Sequence, residues 1–359
     1  MFKIKAVDGR ARAGTLKTRH GSLKTPFFMP VATKGSVKLV SNQELLGSGT
    51  ECIISNAYLL CLKPGLETIE KAGSLHKFIG WKKGIFTDSG GFQTLSREFV
   101  HSINENGVRF RNPFDKSPDF LGPEKAVRIQ ERLGSDVAMC LDDVPRHGST
   151  PARVKESVER TTRWAERCKQ AHNDKKQLLF GICQGGLNKR LREKSSGEIA
   201  KIGFDGNAIG GLCIGEGEGQ RKKMVEAANS IFPKEKPLYL MGVGSPKDIL
   251  EAVSLGVDIF DSCFPARIAR HKAAITMKGN IDMSRGKFRN EFGPLEKECN
   301  CFVCRNHSRA FVRHLLSTKE ENGQRLLSIH NISFVQQIVQ EARQAIKEQK
   351  FEKLLEKFL

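Results

Sequence analysis

DVAMCLDDVPRHGSTPARVKESVERTTRWAERCKQAHNDKKQLLFGICQG, residues 136–185, reads as one strand–helix–strand unit. Its ends, DVAMCLDD (136–143) and QLLFGICQG (177–185), are short continuous apolar runs. A strand covered on both faces needs such a run, whereas a half-solvated strand alternates. Between them Thr150 precedes Pro151, an N-cap followed by proline at the first helical position. Val154, Val158, Ala165 and Cys168 then recur close to a 3.6-residue period, so one helix face is apolar. Strand, helix and strand in this order place the two strands parallel in one sheet.

The same beat runs outward in both directions. Strand-like runs recur at TPFFMPVA (25–32), ECIISNA (51–57), GIFTDS (84–89), GNAIGGL (206–212), PLYLMGVG (237–244) and VDIFDSCF (257–264), giving eight with the two above. PEKAVRIQERLG (123–134) opens on proline and closes on glycine, and SPKDILEAVSLG (245–256) repeats the pattern with Ser245 as cap. Eight β runs, mostly separated by single helices, predict an α/β fold of the (β/α)8 TIM-barrel type. An open doubly wound sheet is the alternative, because spacing does not reveal closure. The beat breaks after about residue 275. A cysteine cluster follows, and then a helical pattern from about residue 334. The expected division is a barrel core over 1–290, a zinc-binding insert near the C-terminus over 291–335, and a helix over 336–359 that completes the barrel.

Bulk properties agree with a large globular domain. The 359 residues are 39% hydrophobic and 28% charged. No apolar run approaches a membrane span, and the start, MFKIKAVDGRARAG, lacks the apolar segment of a signal peptide, so a cytoplasmic protein with no membrane partner is expected. Lys and Arg outnumber Asp and Glu 59 to 40, a formal charge of +19. An excess this large favours a polyanionic partner such as nucleic acid. Seven of the ten cysteines are scattered in apolar segments and read as reduced core residues.

A parallel barrel carries its chemistry at the carboxyl ends of its strands. Those ends hold Asn56, Asp88, Asp142 with Asp143, Gln184, Gly211 and Asp261. Any one of these can be an ordinary turn residue; so many polar residues on matching ends point to a site. Among them is no histidine, no serine in a nucleophile elbow and no P-loop. Paired carboxylates remain, and they suit glycosidic chemistry, one attacking an anomeric carbon while the other moves protons. An added Asp and Gln suit a nucleobase edge, since a carboxylate accepts and an amide both donates and accepts. Together with the charge, this predicts N-glycosidic chemistry on a nucleic acid. Separately, Cys299, Cys301 and Cys304 are spaced as a zinc site in want of one ligand. His307 and His330 fit about equally by spacing. His314 reads as an ordinary helix residue.

The motifs TDSGGFQ (87–93), LDDVP (141–145), QGGL (184–187), GGLCIGEG (210–217), YLMGVG (239–244), FDSCFPAR (260–267) and CNCFVC (299–304) resemble the queuine tRNA-ribosyltransferase family, the tRNA-guanine transglycosylases, and most of all its bacterial type. The resemblance implies a (β/α)8 barrel with a structural zinc and exchange of the wobble guanine of GUN anticodons (Asp, Asn, His and Tyr tRNAs) for a 7-deazaguanine, in queuosine biosynthesis. It implies Asp261 as nucleophile and Asp88 as general acid/base, with Asn56 holding Asp88. Asp142, Gln184, Gly211 and Leu212 would read the base, and Phe92 would stack on it. Arg267 and Arg270 would contact the tRNA anticodon loop. His330 would be the fourth metal ligand, and the enzyme would be a homodimer. Some positions depart from the family pattern: Ala266 replaces a threonine, and Val144 a cysteine common in bacterial members. Ile214 is bulky where users of queuine have glycine, which favours 7-aminomethyl-7-deazaguanine. Queuine, a DNA substrate, and a non-catalytic tRNA-binding subunit are the alternatives.

Overall fold

A computed structural model describes residues 2–90 and 100–359. All eight apolar runs form strands of one parallel sheet: β1 (Phe27–Pro30), β2 (Cys52–Asn56), β3 (Gly84–Asp88), β4 (Val137–Met139), β5 (Leu178–Cys183), β6 (Gly206–Ile209), β7 (Leu238–Leu240) and β8 (Ile259–Ser262). Each strand pairs with its neighbour in sequence, and β8 returns to β1 with Asp261 opposite Met29. The remaining seam, β1 to β2, is bridged at Val31–Ile54, where the Ala32 N–H donates to the Ile54 carbonyl at 2.7 Å. The sheet is therefore a barrel rather than an open layer.

Two separate apolar clusters follow from strand alternation. Phe27, Met29, Cys52, Ile54, Phe86, Val137, Met139, Phe180, Ile182, Ala208, Tyr239 and Ile259 fill the barrel. Phe86 lies at its centre, edge-on to Phe27, Phe180 and Tyr239 at 5.6–6.1 Å between ring centroids. The intervening strand residues pack outward against the helices: α1 (Pro123–Leu133), α2 (Pro151–Ala171), α3 (Lys189–Ile202), α4 (Glu218–Asn229), α5 (Pro246–Ser254), α6 (Phe264–Arg270) and α7 (Glu321–Lys347). The expected caps are present. The Thr150 hydroxyl accepts from Arg153 N–H, Ser245 accepts from Asp248 N–H, and Gly134 closes α1 in the left-handed region at φ 71°.

Three antiparallel pieces decorate the barrel. The N-terminal strands Phe2–Asp8, Ala11–Thr18 and Gly21–Thr25 cover its amino end, where Leu16 and Leu23 plug the interior cluster. The strands Val100–Asn104, Gly107–Arg111 and Pro118–Leu121 leave the chain after β3. A hairpin, Ala273–Thr276 with Gly279–Asp282, precedes the cysteine cluster. The last long helix begins at Glu321, well before the expected start near 334, and runs unbroken past residue 335. Its early turns are held by burial of Leu326, Leu327 and Ile329, and Gly323 fits closely against Leu315 and Leu316. No helix among the described residues is long and apolar enough to cross a membrane.

Candidate active site and metal centre

The strand carboxyl ends converge on a cavity of about 310 Å3. Asp88, Asp142, Gly211, Leu212, Asp261 and Arg267 all line it. Gln184 stands behind this wall with its Nε2 donating to Asp142 Oδ2 at 2.6 Å. Asn56 is paired in register with Asp88 across β2 and β3. Arg270 lies further along α6, half-buried, with Nη1 on the Ala266 carbonyl, and does not reach the cavity wall. Phe92 lies outside the described residues.

Local geometry explains the assembly. Adjacent residues in extended chain point to opposite sides, so Asp142 enters the cavity while Asp143 turns outward to Arg153 and Arg160 of α2. The sequence offered the two as a pair; the structure divides them between the site and the scaffold. Gly211 has φ +68°, and a Cβ there would meet Gln184 Oε1 at 2.3 Å. Only glycine admits the amide beside the backbone at this point. Gln184 Oε1 itself is buried without a hydrogen-bond partner among the described residues, an acceptor left open beside the cavity-facing Asp142.

The three cavity carboxylates all resist ionisation. Burial pushes Asp88 up to about 7; the Gly90 N–H, donating at 2.9 Å, opposes the rise, and the neighbouring Asp261 adds to it. The Asn56 amide nitrogen is buried without a full hydrogen bond among the described residues, yet it lies near enough to Asp88 to oppose the rise as well. Burial likewise raises Asp142 to about 7 against the Gln184 hydrogen bond. Asp261 is raised by burial and pulled back by two donors. Tyr239 Oη–H donates to its Oδ1 at 2.6 Å and Gly242 N–H donates to the same oxygen at 2.9 Å. Both donors hold one oxygen; Oδ2 accepts no hydrogen bond from the described residues and is left for the cavity. A carboxylate with one tethered and one free oxygen is suited to attack, and a carboxyl near neutrality is suited to proton transfer.

The metal centre is separate. Cys299, Cys301, Cys304 and His330 bring four ligand atoms within 4.8 Å of one another. The thiol sulfurs lie 3.8, 3.5 and 3.3 Å from His330 Nδ1. Zinc–ligand lengths of ~2.3 and ~2.05 Å in a tetrahedron give S···N edges of about 3.6 Å, so the donor set fits a closed four-coordinate site. His330 Nε2 sits 2.8 Å from the Ile275 carbonyl, which orients Nδ1 toward the thiols. The group can thus hold a metal ion. His307, equal to His330 by spacing, instead stacks on Phe311 at 5.2 Å.

Several contributors escaped the sequence reading. Tyr239 looked like core within an apolar run. Arg192, fully buried, joins the ends of β5 and β6 through the carbonyls of Cys183 and Gly210; a helix arginine carries no sign of this. Cys213 and Cys263, read as core residues, line the cavity. They sit at strand ends, where the chain has left the core.

Comparison with known proteins agrees with this geometry. The profile of the queuine tRNA-ribosyltransferase family matches residues 8–359. A queuine tRNA-ribosyltransferase of Fusobacterium nucleatum is 45% identical over 361 residues, covering 100% of this chain and 97% of that protein. That of Thermotoga neapolitana is 46% identical over 98% of this chain and 95% of its own, and that of Bacillus subtilis 44% identical over 97% and 92%. Matched along nearly its whole length, the chain belongs to the queuine tRNA-ribosyltransferase family and is a glycosyltransferase of the pentosyltransferase class, a tRNA-guanine transglycosylase of the queuosine pathway.

Proposed function

We propose that the enzyme replaces the wobble guanine of GUN anticodons (Asp, Asn, His and Tyr tRNAs) with 7-aminomethyl-7-deazaguanine through an Asp261–ribose intermediate. The observation that carries this reading is the carboxylate pair Asp88 and Asp261 on one cavity whose wall ends in Asp142 and the open Gln184 amide oxygen. Asp142, Gln184 and the backbone of Gly211 and Leu212 take the Watson–Crick edge of the base, and Phe92 stacks on it. Asp261 Oδ2 attacks the anomeric carbon as the bond to guanine breaks, and Asp88 gives its proton to the departing base. Asp88, now a carboxylate, then takes a proton from the incoming base. That base attacks the same carbon and expels Asp261. Two displacements retain configuration. Half-buried Ile214, just after Cys213 of the cavity wall, supports a small incoming base over queuine.

Arg267, exposed at the cavity rim, and Arg270 hold the anticodon loop, from which the target base swings out cheaply because it is unpaired. The chemistry then belongs to residues 1–290, the metal-folded segment to 291–335 and barrel completion to 336–359. The metal is one structural zinc, which supplies folding energy to that segment, and elemental analysis finding no zinc in the purified chain would refute it. Homodimerisation is supported by an aromatic patch on the same segment, Phe292 (79% exposed), Phe302 and Phe311. A monomeric mass in solution rules against it. The enzyme works where its tRNA is, in the cytoplasm.

The decisive experiment is exchange of labelled guanine into a GUN-anticodon transcript. Wild type exchanges and forms a denaturation-stable protein–RNA adduct; Asp261→Asn does neither. Exchange by Asp261→Asn overturns the nucleophile assignment. Mass spectrometry of tRNA incubated with each free base identifies which base is inserted.

A further inference from the structure

We propose that Phe114, flanked by Lys34 and Lys63, is a stacking platform for an unpaired nucleotide next to the base taken into the cavity. The inference rests on the tRNA reading above and adds a subsite to it. The turn at 112–117 joins the strands Gly107–Arg111 and Pro118–Leu121. It is braced by its own side chains: Asn112 Oδ1 accepts from Phe114 N–H at 2.9 Å, and Asp115 Oδ1 accepts from Ser117 N–H at 2.9 Å and from its hydroxyl at 2.6 Å. The turn therefore presents Phe114 in a fixed place, with 38% of the residue exposed. The acid nearest in sequence, Asp115, is occupied with Ser117.

Two ammonium groups lie over the ring, Lys34 Nζ at 5.2 Å from its centroid and Lys63 Nζ at 5.7 Å. Lys34 sits in the loop that leaves β1, and Lys63 at the kink of the helical segment Cys61–Gly65 that follows β2, both beyond the carboxyl ends of their strands, the end that holds Asp88; Lys34 directly follows Thr33 of the cavity wall. The platform is thus on the mouth side of the barrel. Lysine on an exposed ring is a weak contact. A phosphate offers each ammonium a stronger partner, and the vacated ring then offers a base its π-face. An aromatic ring beside cations on a basic protein is the combination that holds single-stranded nucleic acid without reading its sequence. From this turn the exposed Arg109 and Arg111, alternating outward on their strand, line a groove of about 1060 Å3 and pair with no carboxylate among the described residues. They extend a path for the RNA backbone.

The test is steady-state guanine exchange with an anticodon stem-loop RNA. Wild type is compared with Phe114→Ala, Phe114→Leu and Phe114→Trp, each checked for an unchanged melting curve. Ala and Leu should raise KM for the RNA roughly 5- to 150-fold, the range that loss of one base-on-aromatic stack gives. Trp should restore it, and KM for guanine and kcat should hold. Placing an abasic site at each loop position in turn should find one RNA for which Phe114→Ala no longer matters. Lys34→Ala and Lys63→Ala should each flatten the log–log salt dependence by about 0.7, one phosphate contact on a single strand. Phe114→Leu with the wild-type KM for RNA overturns the platform while leaving the transglycosylase reading intact. A wild type that exchanges no guanine into RNA overturns that reading, and the platform with it.

Discussion

The two ends of the barrel use the same residue type in opposite ways. At the amino end, Asp136 before β4 accepts from the backbone N–H groups of His20 at 2.8 Å and Ile85 at 2.9 Å, with His20 Nδ1 and His76 Nε2 at 3.0 and 3.1 Å. Asp258 before β8 accepts from Arg12 Nε and Nη2 at 3.0 and 2.6 Å and from Leu238 N–H at 2.7 Å. At the carboxyl ends of the same two strands, Asp142 has one side-chain donor, Gln184, and Asp261 keeps one oxygen without a partner among the described residues. A carboxylate whose lone pairs are filled by the fold is structural. One left partly unsatisfied at a cavity is available to a ligand. Position along a strand of a few residues decides which role an aspartate takes.

The largest effects come from exchanging the two lesions on β8. Asp261→Asn should reduce guanine exchange on the order of 10^4- to 10^6-fold, as loss of a nucleophile does, with the melting temperature unchanged or higher. Asp258→Asn should instead cost about 3–5 kcal/mol of stability, because Arg12 is left buried and uncompensated. Burial raises Asp258 to about 6, still below neutrality, so the ion pair is charged at working pH. The folded fraction of Asp258→Asn should exchange guanine near the wild-type rate. Denaturant melts and exchange assays on both variants decide this. An unfolded Asp261→Asn, or a well-folded but inactive Asp258→Asn, would break the comparison.

Asp142 gives the next effect, with an unusual sign. Its pKa is raised from 3.8 to about 7, so the folded state favours the proton. Stability from this group is full below pH 4 and is lost as pH rises through 7, by up to about 4 kcal/mol. Asp142→Asn should therefore match wild type at pH 4, exceed it in stability above pH 7, and lose base binding throughout. Calorimetry across that range tests it; equal melting temperatures at pH 8 would show that burial of this charge costs nothing.

Much of this was legible in the sequence because parallel strands are buried on both faces and so read as unbroken apolar runs. The eight strands, the caps at Thr150 and Ser245, and the polar residues at strand ends follow from that. The antiparallel pieces did not, since FKIKAVD and VHSIN alternate with charge or polarity and their burial is slight. Closure was invisible because it depends on the register of β1 against β8 and β2. The early start of α7 was hidden by Gly323 and Asn331, poor helix formers that tertiary packing overrides; Asn331 is fully buried, donating from Nδ2 to the Pro265 and Ala273 carbonyls. His330 could not be chosen over His307 by counting, because the choice is made by where α7 passes the hairpin carbonyl of Ile275.

Tyr239 sharpens the contrast, being the one side-chain donor among the described residues to Asp261, the proposed nucleophile. Its phenol is kept protonated by burial and by Asp261. A hydrogen bond to a charged group contributes about 1.5–3 kcal/mol, so Tyr239→Phe should lower kcat roughly 10- to 100-fold. The same bond favours the Asp261 carboxylate, so its loss should also move the acid limb of kcat/KM to higher pH. A purely structural Tyr239 would lower the melting temperature and leave that limb in place.

The smallest effect is at the far end of β4. Burial alone would raise Asp136, but the His76 hydrogen bond and the backbone N–H groups of Ile85 and His20 outweigh it and hold the carboxyl near 2. A folded pKa below the unfolded 3.8 means stability that is full above pH 4 and lost as pH falls through 2, about 2 kcal/mol in all. Asp136 and Asp142 bracket one short strand and should give stability slopes of opposite sign, one below pH 4 and one between pH 4 and 7. Urea melts of wild type and Asp136→Asn between pH 2 and 4 isolate the first slope. Asp136→Asn should flatten it, and its folded fraction should still exchange guanine at neutral pH. Parallel losses in the two proteins would mean that the carboxylate is not held by its donors, and the amino end would no longer differ in kind from the site above it.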